Sequence, residues 1–214
     1  MNTLFIDLDG TLTDPKPGIT ACVNHALQQL GMPQHAPDAL EWVIGPALVD
    51  SFATLGAPDP AAAVDLYRAR YATVGLLENR VYDGIPGVLR TLSDQGYDLH
   101  LATAKPHVYA RRITAHFGLD RFLSEQFGSE LDGTHNDKGE LLAFALRQLG
   151  LEPSGCLMIG DRHHDFDAAR AVGMRCIGVE WGYGQPTELA QADARCAQVS
   201  ELPGIVAEMA PFQS

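Results

Sequence analysis

The sequence predicts an α/β fold: a parallel sheet flanked by helices and interrupted early by a helical insertion. Three observations carry this. Met1–Leu8 runs apolar through Leu4, Phe5 and Ile6 into Asp-Leu-Asp-Gly, which reads as a buried strand followed by a turn. From Tyr82 onward, strand-like and helix-like segments alternate, the rhythm of parallel βαβ units. Between them, Pro15 to about Val81 keeps helical spacing and shows no convincing strand, so it reads as a separate helical module.

Within the insertion, Ile19, Val23, Ala26, Leu27 and Leu30 recur at helical spacing, with Gly31 as a stop. Further helices are expected over Leu40–Ile44, Ala47–Leu55 and Ala61–Leu77, separated by Gly45-Pro46 and Gly56-Ala57-Pro58. After it come a helix at Val88–Leu92, a strand at Asp98–Thr103, a helix at Val108–Phe117 and a short strand at Gln126–Ser129. Then follow a helix at Lys138–Leu149, a strand at Gly155–Gly160, a helix at Asp165–Val172 and a strand at Arg175–Val179. The first strand must join this sheet, because a strand followed only by helices has nothing to pair with.

Composition narrows the partners. At 214 residues with 46% hydrophobic content, the chain can bury a sizeable core. A formal charge of −12 argues against a nucleic-acid polymer, whose binding depends on Lys and Arg neutralising phosphates. A small anion is still possible if a metal and a few local cations reverse the field at the site. The longest apolar runs, such as Cys156–Ile159, are too short to span a membrane. Asp7 and Asp9 also arrive before a signal-peptide core could develop, so a cytoplasmic protein is expected. Cys22, Cys156, Cys176 and Cys196 form no C-x-x-C pair and read as reduced thiols. Neither G-x-x-x-x-G-K-[ST] nor G-x-G-x-x-G occurs, which removes the main support for a nucleoside triphosphatase or a dinucleotide enzyme.

In open parallel sheets the ligand crevice lies beyond the carboxyl ends of the strands. Four of those ends are polar here. In Asp7-Leu8-Asp9-Gly10-Thr11, residues two apart on extended chain point the same way, so Asp7 and Asp9 can converge. Two carboxylates that close need a proton or cation between them. With a divalent cation, one can attack phosphorus while the other serves as general acid and base. At Thr103-Ala104-Lys105, a hydroxyl and free N–H groups can hold phosphate oxygens, although a Thr in such a place also serves as a helix N-cap. Lys138 opens a helix where the dipole disfavours a cation, which suggests an anion nearby, or else a harmless exposed lysine. Asp161 and Asp165 follow a strand end and suit a hard cation such as Mg²⁺, although Asp165 would favour a helix N-terminus in any case. His163-His164 is not expected to bind zinc, because adjacent residues on extended chain point apart and no Cys is close.

These four motifs, in this order, resemble the haloacid dehalogenase-like hydrolase superfamily over nearly the whole chain, and D-x-D-G-T-[LV]-x-D is specific to its phosphotransfer members. The resemblance implies an α/β fold with a Rossmann-like parallel sheet core, residues 1–14 and 82–214, and an inserted helical cap, residues 15–81, that closes over the site. It makes Asp7 the nucleophile and Asp9 the general acid/base, with Thr103, Ala104 and Lys138 binding phosphate. Mg²⁺ would be held by Asp7, the Asp9 carbonyl and Asp161, with Asp165 ligating through water or steadying Asp161. The family's dehalogenases lack an acid at the position of Asp9 and its ion pumps carry Thr there, so hydrolysis or mutase chemistry is implied.

Within the superfamily the chain is similar to the phosphoglycolate phosphatase-like group. Lys138-Gly139 and Gly160-Asp161-Arg162 depart from that group's usual Lys-Pro and Gly-Asp-Ser. The combination of Thr103-Ala104-Lys105, Leu131-Asp132-Gly133-Thr134 with Lys138 shortly after, Gly160-Asp161-Arg162-His163-His164-Asp165 and Gly182-Tyr183-Gly184 looks more like its bacterial 5′-nucleotidase branch. The implied substrate is a small phosphorylated metabolite, a nucleoside 5′-monophosphate first, with phosphoglycolate hydrolysis and a sugar-phosphate mutase as alternatives, in a monomer or homodimer. Selectivity is expected from the cap, at Lys16, Trp42, Gly45 and Pro46, with Trp42 and Phe52 either stacking on a base or filling the cap's own core.

Overall fold

The computed structural model describes residues 3–45 and 47–209. Its strands are β1 (Thr3–Ile6), β2 (Thr13–Asp14), β3 (Arg80–Val81), β4 (Asp98–Pro106), β5 (Glu125–Ser129), β6 (Cys156–Gly160), β7 (Arg175–Val179) and β8 (Ala194–Cys196). Its α-helices are α1 (Lys16–Gln29), α2 (Leu48–Thr54), α3 (Pro60–Tyr71), α4 (Ile85–Asp94), α5 (His107–His116), α6 (Lys138–Leu149), α7 (His163–Val172), α8 (Pro186–Leu189) and α9 (Leu202–Met209). No helix among the described residues is long and apolar enough to cross a membrane.

Six strands form one sheet in the order β5-β4-β1-β6-β7-β8, and every neighbouring pair is parallel. β1 lies in the middle, with Leu4 beside Leu99 on one side and Leu157 on the other. The chain builds outward from β1 through β4 and β5 in one direction and through β6 to β8 in the other. β1 is therefore the switch point, where a crevice opens at the strand ends. Phe5 and Met158 pack with Leu142, Ala145 and Phe166 of α6 and α7 over one face. By alternation Leu4, Ile6, Leu157 and Ile159 face the other side, and all are buried. A strand covered on both faces reads as a continuous apolar run, and β1 and β6 do.

The chain divides into two compact units, residues 1–13 with 81–214, and residues 14–80. In the smaller unit, α1 buries Ile19, Val23, Ala26 and Leu27, the stripe that the spacing predicts. Three expectations need correction there. Leu40–Ile44 belongs to a 3₁₀ turn, Pro37–Val43, rather than to an α-helix. The helix expected over Ala61–Leu77 ends at Tyr71, followed by a separate 3₁₀ turn at Gly75–Leu77. The break lets two backbones meet: a Cβ on Gly18 would lie 2.0 Å from the Gly75 carbonyl oxygen. Strand structure is also present at the module's margin, where Arg80 lies in β3 and β3 pairs with β2. Phe52 is fully buried, edge-on to Tyr67 at 6.5 Å, while Tyr67 stacks on Tyr71 at 5.4 Å. Such a ring is worth about 3–5 kcal/mol to packing when truncated, so Phe52 is a core residue and not a base-stacking surface.

In the larger unit β4 runs three residues beyond the expected end, and α8, β8 and α9 were not anticipated. They follow a Gly-rich, polar stretch with no clear periodicity and close the β7 edge of the sheet. One buried titratable group lies in the core of this unit. The His100 ring packs 5.4 Å from Phe5, with Nε2 3.1 Å from Asp98 Oδ2. Burial holds its pKa below the usual 6.5, against the pull of Asp98 and Glu125. A group depressed in the folded state leaves the unfolded chain binding more protons as pH falls through 6.5, so this histidine's contribution to stability declines toward acid. The stability advantage of the parent over His100→Gln, measured by urea unfolding, is therefore expected to shrink between pH 8 and pH 5.

Candidate active site

β1 and β6 run side by side, and the Asp7 N–H donates to the Ile159 carbonyl at 2.9 Å. The residues leaving the two strands, Asp7 and Asp161, are thereby placed together. With Asp165 in the first turn of α7 they form a buried group whose carboxylate oxygens lie within 4.8 Å of one another. Lys138, the first residue of α6, projects into this group. Its Nζ donates to Asp7 Oδ1 at 2.6 Å and to Asp165 Oδ1. Burial would lower the Lys138 pKa, but Asp165 and Asp7 outweigh it and hold it above the ordinary lysine value. The lysine that the helix dipole disfavours is thus a buried, doubly paired ammonium rather than an exposed one.

Asp161 is the least compensated member. Its Oδ2 accepts from the Tyr183 N–H at 2.7 Å, whereas Oδ1 is buried with no partner. Burial, then Asp165 and Asp7, push its pKa up to about 8. Asp165 is also raised, by burial above all and against the pull of Lys138, and its Oδ2 accepts from the Arg162 N–H at 3.0 Å. Backbone walls in Asp161. Gly10 has φ +88°, and a Cβ there would lie 2.2 Å from Asp161 Oδ2. One on Gly182 would lie 2.4 Å from the same oxygen.

Asp9 lies beside this group. Its Oδ2 pairs with Lys105 Nζ, its Oδ1 is buried without a partner, and burial raises its pKa against the opposing effect of Lys105. Thr103 is buried and is not a helix cap, since α5 begins after Pro106. Its Oγ1 instead accepts from the Lys105 N–H at 3.3 Å. Ala104 is exposed, with its carbonyl held by Ser129 Oγ at 2.7 Å. Sequence reasoning gave Lys105 no role. The available signal was its spacing of two from Thr103 on extended chain, which sends both side chains the same way. It also missed Glu188, which holds Arg162 Nε at 2.9 Å and His163 Nδ1 at 2.6 Å. Burial would raise the Glu188 pKa, but Arg162, the Gln185 N–H and His163 bring it down to about 2. The expectation that His163 and His164 point apart is corrected: they open α7, and their ring centroids are 3.8 Å apart.

In the smaller unit, Lys16 Nζ lies 2.7 Å from both Asp38 Oδ1 and Glu41 Oε2. Trp42 is 44% exposed. Gly45 is exposed at φ +112°, and Pro46 lies outside the described residues.

Residues 4–179 match the family model described as haloacid dehalogenase-like hydrolase. The chain belongs to that family. It is 47% identical to a 5′-nucleotidase of Pseudomonas aeruginosa, over 94% of this chain and 93% of that one. It is 38% identical to tyrosine-protein kinase PtkA of Mycobacterium tuberculosis, over 85% of this chain but 63% of that one. A crystal structure described as a predicted phosphatase from Clostridium acetobutylicum superimposes with a TM-score of 0.88 at 35% identity, covering 97% of this chain and 98% of that one. This haloacid dehalogenase-like chain is a phosphatase of that family.

The site's charges do not balance. Among the described residues, Asp7, Asp9, Asp161 and Asp165 meet two ammonium groups, those of Lys105 and Lys138. The shortfall is two positive charges, and a buried carboxylate oxygen on Asp161 has no partner. An all-oxygen donor set with that shortfall fits a hard divalent cation.

The glycine walls can be tested against a neutral control. Gly182→Ala is expected to destabilise the protein by about 1–3 kcal/mol through overpacking against Asp161. Gly204→Ala on α9 meets open space and is expected to be neutral or to stabilise by up to about 1 kcal/mol. Thermal and urea unfolding of both variants would check this.

Proposed function

We propose that this chain is a Mg²⁺-dependent phosphomonoester hydrolase that carries the phosphoryl group on Asp7 and acts on nucleoside 5′-monophosphates. The observation that carries the chemistry is the buried Asp7–Asp161–Asp165 group pinned by Lys138. The residues suited to hold the cation are Asp7, Asp161, the Asp9 carbonyl and Asp165. When bound, Mg²⁺ supplies the missing positive charge beside the phosphoryl oxygens.

Asp7 attacks phosphorus, the ester P–O bond breaks, and Asp9 gives its proton to the departing oxygen. Asp9 then takes a proton from the water that attacks phosphorus, and Asp7 is released. Thr103 Oγ1 already accepts from the Lys105 N–H, so its own hydrogen can go to a phosphoryl oxygen, joined by the Ala104 N–H and the third hydrogen of the Lys138 ammonium. Lys138, drawn between Asp7 and Asp165 before the reaction, neutralises the acyl phosphate as it forms.

The nucleotide reading is supported by the 47% identity to a protein named 5′-nucleotidase. Phosphoglycolate would need a cation for its carboxylate. Three of the smaller unit's four Lys and Arg residues are engaged, Lys16 by Asp38 and Glu41, Arg70 by Glu78 at 2.6 Å and Arg80 by Asp14 at 2.5 Å, while Arg68 is exposed on α3. Trp42 offers an exposed flat indole instead. A mutase would return the phosphoryl group to an organic acceptor rather than to water. The likeness to a protein named a tyrosine kinase gives a further arm to the same test.

Asp7→Asn is expected to lose activity by a factor on the order of 10³ or more. It should unfold no earlier than the parent, because it removes one charge from a repelling group and keeps an acceptor for Lys138. EDTA is expected to abolish turnover and Mg²⁺ to restore it, while Ca²⁺, with its longer and looser ligand distances, should inhibit. Phosphate-release kinetics and thermal melts would check both. Survival of more than a few per cent of activity in a clean Asp7→Asn preparation would end the covalent reading.

kcat/KM for a nucleoside 5′-monophosphate is expected to exceed that for 2-phosphoglycolate by tenfold or more, about 1.4 kcal/mol in transition-state binding. Trp42→Ala should lower that ratio. Gly45→Val is a poorer probe, because valine at φ +112° strains the backbone by itself. A side-by-side screen over nucleotides, phosphoglycolate and sugar phosphates, with ATP plus a tyrosine peptide as the kinase arm, decides among these readings. Preference for phosphoglycolate, phosphoryl transfer to a sugar phosphate, or label on the peptide would each replace the nucleotidase reading.

A further inference from the structure

We infer that Lys105 is a positioning residue that holds the Asp9 carboxylate by one oxygen and leaves the other free for the leaving group. The inference rests on the phosphatase reading above and adds to it a residue that the motifs leave without a role. The Lys105 side chain is nearly buried and its ammonium sits on Asp9 Oδ2. The second oxygen, Asp9 Oδ1, is buried and unpartnered. An acid that must deliver a proton to an ester oxygen needs one oxygen fixed for orientation and one left uncommitted, and the pair provides both.

The backbone beneath Lys105 is held at three points. Its N–H donates to Thr103 Oγ1 at 3.3 Å, and the preceding carbonyl, that of Ala104, accepts from Ser129 Oγ at 2.7 Å. β5 closes in from the side at Gly128, where a Cβ would lie 2.7 Å from the Lys105 carbonyl oxygen and 2.8 Å from His107 Cα. The β4–β5 register shifts between Thr103 and Pro106, so the strand is irregular where Lys105 leaves it. An unconstrained surface lysine would need none of this. The ammonium carries a full rotamer-entropy cost, of order 2 kcal/mol for a long side chain, and the fixed backbone and the carboxylate together offset it.

The role can be read in the leaving group. In the first half-reaction the Asp7–P bond forms and the ester P–O bond breaks, with the Asp9 proton passing to the departing oxygen. A ribose 5′-oxygen needs that proton, whereas 4-nitrophenolate departs without one. In rapid-quench single turnovers, Lys105→Met is expected to slow nucleoside release from a nucleoside 5′-monophosphate at least about 30-fold, within the range of general acid catalysis. It should slow the 4-nitrophenolate burst from 4-nitrophenyl phosphate less than about 3-fold. Lys105→Arg should recover much of the nucleotide rate. In an Asp9→Asn background, Lys105→Met should cost nothing further, since the lysine acts through Asp9.

Equal slowing of the two substrates, slowing of neither, or full additivity with Asp9→Asn would overturn the inference and leave Lys105 as a phosphate-binding or structural cation. If Lys105→Met does not fold, Lys105→Arg carries the test. Its guanidinium still pairs with Asp9 but displaces the oxygen, so the ratio of the two rates must shift by at least about threefold. Failure of the underlying reading is distinguishable, because the parent enzyme would then release phosphate from neither substrate.

Discussion

The arrangement depends on burying three carboxylates, Asp7, Asp161 and Asp165, around one lysine-pinned centre, with Asp9 beside it. Like charges this close repel, and each loses hydration on burial. Lys138 answers part of that cost by touching Asp7 and Asp165 together. It can do so because α6 starts beside the end of β1, which delivers Asp7, and the first turn of α7, which delivers Asp165. Asp161 is left with one oxygen on a backbone N–H and one on nothing. Such a site weakens the fold in order to hold a reactive geometry, the usual exchange between stability and activity. The surrounding structure is built to pay it: β1 and β6 are covered on both faces, and the loops press glycine backbone against Asp161, so the acids cannot relax away from one another.

Much of this was legible in the residues. The parallel sheet follows from apolar runs alternating with helical stripes, and the convergence of Asp7 with Asp9 from the period of two along a strand. Lys138 was legible as an anomaly, a cation placed where the helix dipole opposes it. What stayed hidden depends on three-dimensional neighbours. Lys105 lies in a strand that meets β1 across nearly a hundred residues of sequence, so its pairing with Asp9 has no local signature. Gly182 looks like any loop glycine until Asp161 is seen behind it. The helix expected over Ala61–Leu77 failed for a similar reason: its periodicity continues, but the contact of Gly75 with Gly18 ends it. β8 and α9 carry too few residues for a period to show.

Histidines 163 and 164 show how one local misreading propagates. Taken as extended chain they point apart, whereas at the start of α7 successive residues turn through about 100° and their rings meet. The pair also gains Glu188, which links Arg162 and His163 across to α8. α8 is only one turn long, yet its carboxylate braces the loop that carries Asp161. An element that periodicity could not find thus contributes to the rigidity of the site.

Asp7 and Asp9 are the same side chain, two residues apart on one strand end, and the chemistry proposed for them differs. Sequence cannot divide the roles, but their partners can. Asp7 Oδ1 is held by Lys138, which it shares with Asp165, in the acidic group that also contains Asp161. Asp9 lies beside that group, with Lys105 on one oxygen and no hydrogen-bond partner at the other, which is buried. A carboxylate pinned by a lysine among further acids has its charge committed and is suited to attack phosphorus. One with a free buried oxygen is suited to exchange a proton. Two lysines from separate βα units, one near the end of β4 and one opening α6 after β5, thereby turn a symmetric pair of residues into two different functional groups, as environment does wherever paired acids share a site.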